Sequence, residues 1–248
     1  MLELNAGGQC LWSGEWGLEV RFNGRAREVL GNWESIAWER EDGCDYLELE
    51  AHLEDEIVVQ RHIVLARSAG FLFMADAVLG IQQGTLEYHG SLPLLGCSTF
   101  QGAVETREGS LVVGHHSRAR VLPLALDEWR SAPARGSLHS GATGLELAQT
   151  AEAQALLAPL FVDLNAARLR REATWRQLTV GQKREIVPRE EAVGYRVQVG
   201  KLQWLIYRSL AAPEVRTVLG SNLMHEFMVG EFQADGGVEM LLEIEAAK

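Results

Sequence analysis

Arg61, His62 and Asp76 interrupt two otherwise apolar runs, Ile57–Ala66 and Phe71–Leu79. An ionisable group buried in such a run must be paired or must coordinate something. A histidine–carboxylate–histidine set is a reasonable zinc environment. His62 and Asp76, joined by His115 from the end of a later run, therefore form a candidate structural zinc site. In the competing reading His62 and Asp76 bond each other or Arg61, and His115 is solvated. His116 follows His115, but neighbours on a strand point to opposite faces, so at most one of the pair joins a given site.

Arginine supplies a second concentration, Arg168, Arg170, Arg171 and Arg176, with Arg196, Arg208 and Arg216 later. A planar guanidinium matches a carboxylate or sulfate bidentately, which makes the first four a candidate surface for an anionic sugar. The alternative is pairing with the chain's own acids, since 34 Asp and Glu outweigh 23 Lys and Arg to give a net charge of −11. That balance argues against broad binding to nucleic acid or to an anionic membrane.

No local motif adds a reaction. The sequence has no GxSxG, HExxH, CxxC, phosphate-binding loop or dinucleotide glycine fingerprint. Serines, histidines and carboxylates occur without a spacing that selects a nucleophile or an acid/base pair, so no catalytic residue is assigned. Cys10, Cys44 and Cys97 are too few and too scattered for a disulfide framework or a zinc cluster, and read as mostly buried free thiols. The N-terminus lacks the basic and apolar regions of a signal peptide, and no apolar run approaches membrane-spanning length. The chain reads as intracellular or as a piece of a longer secreted protein.

The elements that must position these residues are strands. Ile57–Ala66 and Phe71–Leu79 flank Arg67-Ser68-Ala69-Gly70, which predicts a hairpin; both arms are apolar on nearly every position, as in the middle of a packed body. Leu18, Val20 and Phe22 alternate with charged neighbours before Asn23-Gly24, a tight-turn signal. Tyr46, Leu47, Leu49 and Ala51 read as facing inward, with Glu48, Glu50 and His52 in water. Trp12, Trp16, Trp33 and Trp38 crowd the same region, either as core and sheet-edge packing or as a sugar-binding surface. Further strands are expected at 84–93, at 99–107 and 110–114 around Glu108-Gly109, and at 119–126, where Pro123 suggests an edge strand or a bulge. Pro159 denies residues 151–171 a continuous helix despite their three- and four-residue apolar steps; a strand over 156–164 followed by a helical turn at 165–171 is expected. Thr174–Val180, Val193–Val199, Leu202–Leu210, His225–Phe232 and Val238–Ile244 complete the pattern. The glycine-rich stretch 131–143 is the best loop and the one candidate internal boundary. The expectation is an all-β chain, a single large antiparallel β-sandwich of two stacked sheets over residues 1–248 with little helix.

The block VVQRHIVLARSAGFLFMADAVLG resembles a strand pair in the C-terminal β-sandwich of heparinase II/III-like polysaccharide lyases. Arg61-His62-Ile63-Val64, Gly70 and Asp76 occupy the positions of that family's basic strand, turn glycine and closing Asp. The runs LWSGEWGLEVRF and LEYHGSLPL are also similar to the group. The resemblance implies a carbohydrate-associated domain that binds or supports an acidic polysaccharide without catalysing alone, a structural metal near His62 and Asp76, and an upstream helical toroid as its partner. The toroid, which usually supplies the tyrosine base, is absent from this sequence. The alternative is a structural or interaction protein that associates into a homo-oligomer through its sheets, without sugar chemistry.

Overall fold

The computed structural model describes residues 1–245 except 134, 143 and 213, and the side chains within that span except that of Ile81. The described residues are nearly all strand, in antiparallel sheets; one 3-10 turn, Glu54–Glu56, is their only helical element.

The expected hairpin forms. Val58–Ala66 pairs with Phe71–Leu92, with Ala66 opposite Phe71. Gly70 closes the turn at φ +69°, and a Cβ there would lie 3.4 Å from that of Asn165. Only glycine adopts this backbone without strain. The second arm does not stop at Leu79 but absorbs the separate strand expected over 84–93. Along its length it pairs with Leu145–Asp163, from Leu92 opposite Leu145 to Phe71 opposite Asp163, with a bulge between Ala153 and Ala155. Pro159 sits opposite Ala75 in this pairing, so extended structure replaces the helical periodicity, and the strand begins well before residue 156.

This long ribbon is the spine of an 11-stranded sheet. The first half of Phe71–Leu92 is flanked by Val58–Ala66, then Cys44–Leu53, then Val29–Glu41 at the edge. Its second half is flanked by Gly17–Phe22, whose Asn23-Gly24 turn has positive φ at both residues. On the other side His116–Pro123, Gly109–Val113 and Ser98–Gly102 continue the sheet. His116–Pro123 is therefore an interior strand rather than an edge. Pro123 is tolerated because it stands at the last position, opposite Leu160. The expected loop 131–143 contains the strand Gly136–Ser140, paired with Leu145–Asp163; its residues 134 and 143 lie outside the described set.

Both faces of the large sheet are covered, which explains the continuous apolar runs. One face turns Leu72, Met74 and Val78 toward Leu4, Trp12, Val20 and Leu111. The other turns Phe71, Phe73, Ala75 and Ala77 toward Trp175, Tyr195, Trp204 and Phe227 of a five-stranded sheet. That sheet runs Ala173–Leu178, Ala192–Val199, Leu202–Ser209, Phe227–Phe232 and Val238–Ile244 in spatial order. Its far side buries Leu205, Tyr207 and Met228 against a small four-stranded sheet. Each large side chain so enclosed contributes roughly 1.5–3 kcal/mol of burial.

Candidate functional site: two polar clusters on one hairpin

The hairpin register fixes the first cluster. Arg61 stands directly opposite Asp76, so both side chains leave the same face. Arg61 Nε and Nη2 donate to the two carboxylate oxygens at 2.8 and 2.9 Å, and Nη1 donates to the carbonyl of Trp16 at 2.9 Å. Tyr88, further along the second arm, donates its hydroxyl to Asp76 Oδ2 at 2.8 Å. The guanidinium lies 3.9 Å from the ring centre of Trp16 and 4.3 Å from that of Trp33. Burial opposes the charge on Arg61, but the Asp76 carboxylate outweighs it and raises the arginine above its ordinary value. Burial, and then the Asp76 charge, push the Tyr88 hydroxyl well above the ordinary phenol range. Beside this pair a cleft of about 500 Å³ is lined by Trp16, Trp33, Leu47, Leu49, Arg61 and Ile63 among others.

His62, one residue on, leaves the opposite face and is completely buried between the large sheet and the five-stranded sheet. Its ring lies parallel to Phe227, with centres 5.6 Å apart. Nδ1 is 2.9 Å from the hydroxyl of Tyr46, which donates to Glu48 Oε2 at 2.5 Å. With Glu48 ionised, the tyrosine proton goes to the carboxylate, so His62 carries its proton on Nδ1 and bares Nε2. Nε2 has no hydrogen-bond partner among the described residues, and neither does Glu48 Oε1, which has only the longer ion-pair contacts to Arg208 at 3.8 Å and to His62 Nδ1 at 3.9 Å. Arg208 reaches in from the five-stranded sheet: Nη1 lies 2.8 Å from Glu226, Nη2 donates to Gln60 at 2.5 Å, and Glu48 is 3.8 Å away. Burial, and then the nearby Arg208 charge, hold His62 well below its ordinary range. Burial raises Glu48 despite Arg208.

These positions correct the metal assignment. His62 and Asp76 occupy opposite faces of the sheet, and His115 is an exposed turn residue. Among the described residues no group of three or more His, Cys, Asp or Glu could hold a metal ion. Adjacent positions cannot share a face, and Asp76 belongs to the face of Arg61.

The four arginines do not converge either. Arg168 is buried; it bonds Asp163 at 2.6 Å, donates to the carbonyls of Ala69 and Gly70, and lies 5.0 Å from the Trp204 ring centre. It thereby fastens the hairpin turn to the end of the long ribbon. Arg170 and Arg171 are exposed on the following turn, and Arg176 is exposed on the strand Ala173–Leu178. Glu48, expected in water, is buried, as are Tyr88, Arg208 and the ring of Trp16. Trp12 is buried with them and Trp38 is exposed. Of the thiols, Cys44 is buried, Cys10 partly so and Cys97 exposed.

Chemically, the first cluster is a saturated ion pair and the second a closed polar inclusion. Neither presents a free base to solvent. No family model and no curated protein matches the sequence. Solved structures do match by fold. A mutant of the heparan sulfate lyase HepC from Pedobacter heparinus superposes with a TM-score of 0.51 at 12% identity, covering 79% of this chain and 30% of that one. The same enzyme without the mutation gives 0.50 at 13% identity, covering 77% of this chain and 30% of the enzyme. The chain thus matches less than a third of the length of these enzymes, and the likeness is one of fold.

Proposed function

We propose that this chain is a carbohydrate-associated β-sandwich of the heparinase II/III-like kind, which binds or supports an acidic polysaccharide in company with a helical toroid and performs no elimination alone. The observation that carries this reading is the fold likeness to a heparan sulfate lyase across 79% of the chain. The cleft beside Arg61 is in keeping with it, since half-buried Trp33 lines it together with apolar Leu47, Leu49 and Ile63. So are the exposed Arg170, Arg171 and Arg176, whose charge is free to meet carboxylate or sulfate.

Elimination at a uronic acid needs a base at the C5 proton and a group that neutralises the carboxylate. Tyr46, His62 and Tyr88 are enclosed, and Tyr88 is committed to Asp76. The test is incubation of the purified chain with heparin, heparan sulfate, alginate and chondroitin. Salt-sensitive retention on at least one polymer, with no growth of unsaturated-uronate absorbance, is expected. Enzyme-dependent growth would overturn the non-catalytic part, and failure to bind any of the four would overturn the association with acidic sugar.

A second reading, self-association, is favoured by one feature. The edge strand Val29–Glu41 is pairable along its outer side and exposes Leu30, Ile36 and Trp38 at 57%, 48% and 63%. On this reading light scattering gives the mass of a homo-oligomer, and Ile36→Lys returns it to that of a single chain.

A further inference from the structure

Where Leu145–Asp163 passes the edge strand Ala173–Leu178, two hollows of about 430 and 110 Å³ share Ala125, Gln177 and Arg189 in their walls. Taken as one cleft, they lie outside the hairpin clusters, although the smaller hollow reaches Val193, the strand partner of Arg208. Its size is that of small-ligand sites, which run to roughly 300–1,000 Å³.

Trp129 stands in the wall with 53% of its surface exposed. The segment that carries it is fixed from behind. Buried Arg107 donates to the carbonyls of Asp127, Trp129 and Ala132, the first at 2.7 Å and the last at 2.6 Å. Backbone bonds of 2.9 Å from Arg107 to Glu128 and from Arg130 to Glu105 tie the same segment to its neighbour. Trp175 donates its indole N–H to the Leu126 carbonyl at 2.8 Å. An exposed indole on a backbone held this firmly has only its two side-chain torsions to order when a ring stacks on it.

The polar walls specify the ligand. Gln149 is 9% exposed and lies at the floor; its amide nitrogen donates to Leu157 at 3.0 Å, and its side-chain oxygen has no partner among the described residues. Arg135, Arg176 and Arg189 line the cleft and form no ion pair among the described residues. Carboxylates of Asp127, Glu128, Glu152 and Glu190 line it too. Burial raises the Glu128 carboxyl against the backbone N–H of Trp175 and the charge of Arg176, with Glu108 and Glu172 adding to the rise. Cations and carboxylates in near balance repel a dense polyanion as much as they attract it. A hydroxyl group satisfies both kinds, because it donates to a carboxylate and accepts from a guanidinium.

We propose that this cleft binds an uncharged saccharide, with a pyranose ring stacked on Trp129 and its hydroxyls shared between the arginine and carboxylate side chains of the walls. Arg176 belongs both to this cleft and to the exposed arginines offered to an acidic polysaccharide, so the two ligands are told apart by whether heparin displaces the neutral sugar.

The full chain is titrated with neutral oligosaccharides of the cello, xylo, malto and chito series, followed by tryptophan fluorescence and calorimetry at low and high salt. At least one series binds, with an affinity that salt hardly changes. Trp129→Ala weakens it about tenfold or more, while Trp129→Phe retains most of it. Trp129 is exposed, so circular dichroism of both variants matches that of the parent. Binding unchanged by Trp129→Ala overturns the site, and no binding by any series overturns the proposal. Displacement of the neutral sugar by heparin overturns the ligand class, while separate binding of heparin that survives Trp129→Ala leaves both readings standing.

Discussion

The strand Val58–Ala66 carries two ionisable residues in succession, and its two faces treat them differently. On the outer side Arg61 has five neighbours that suit it: two carboxylate oxygens, one carbonyl and two indole faces. On the inner side His62, Glu48 and Arg208 share too few hydrogen bonds, and each keeps an atom without a hydrogen-bond partner among the described residues. A satisfied buried pair fixes geometry, whereas an incompletely satisfied one remains sensitive to protonation. The first therefore behaves as architecture and the second as the titratable part of the interior.

The largest effect should come from the satisfied pair. Asp76→Ala leaves a buried guanidinium and the Tyr88 hydroxyl without their acceptor, and should lower the unfolding free energy by roughly 3–5 kcal/mol in denaturant titration. A loss below about 1 kcal/mol would mean that Arg61 escapes to solvent and that the contrast between the faces is wrong. Arg208→Met should cost less, roughly 1–3 kcal/mol at neutral pH, because Glu226 can reach water and Glu48 can take up a proton. The penalty should shrink on acidification, which distinguishes a lost charge partner from lost packing.

Protonation provides the third test. His62 has a folded value below its ordinary 6.5, so the unfolded chain binds the proton more readily. Stability held above pH 6.5 is therefore lost as pH falls, with a slope of at most ~1.4 kcal/mol per unit. Glu48 acts oppositely: raised above 4.5 in the fold, its contribution is complete below 4.5 and is lost as pH rises through the folded value. His62→Leu should remove the acid-side loss and leave the Glu48 slope of opposite sign, read from unfolding curves at a series of pH values. The smallest effect belongs to Trp33→Ala, about 0.5–1 kcal/mol from one stacked cation, since Asp76 continues to hold Arg61.

The hairpin was legible because apolar arms and a turn glycine are local signals. The same signals contained more than the zinc reading used. Once Ala66 faces Phe71, counting back along both arms brings Arg61 to Asp76 and His62 to Ala75. That count alone separates His62 from Asp76. Glu48 was assigned to water because its strand was read in two inconsistent phases. Strict alternation from Cys44 puts Tyr46 and Glu48 on one face; the alternation runs unbroken to His52, and only the buried side changes, to the face of Ala51 and Leu53. Arg208 and the cleft around Trp129 were not legible, because their partners lie in distant strands and no local spacing announces them. The continuity of Phe71–Leu92 was hidden by Gly80 and Gly84, which read as a break and instead serve a bulge.

The ribbon at the centre of the large sheet also has a history in time. A ribosome releases Phe71–Leu92 while the whole of 93–144 is still to come, so one edge of an apolar strand waits for Leu145–Asp163. Closure is shortest where Leu92 meets Leu145 and longest where Phe71 meets Asp163, which favours zipping from the first end to the second. Until then the nascent chain offers neighbouring copies the same backbone ladder that its own later strand will occupy. A chain ended before Leu145 would keep that edge open and would aggregate as it left the ribosome.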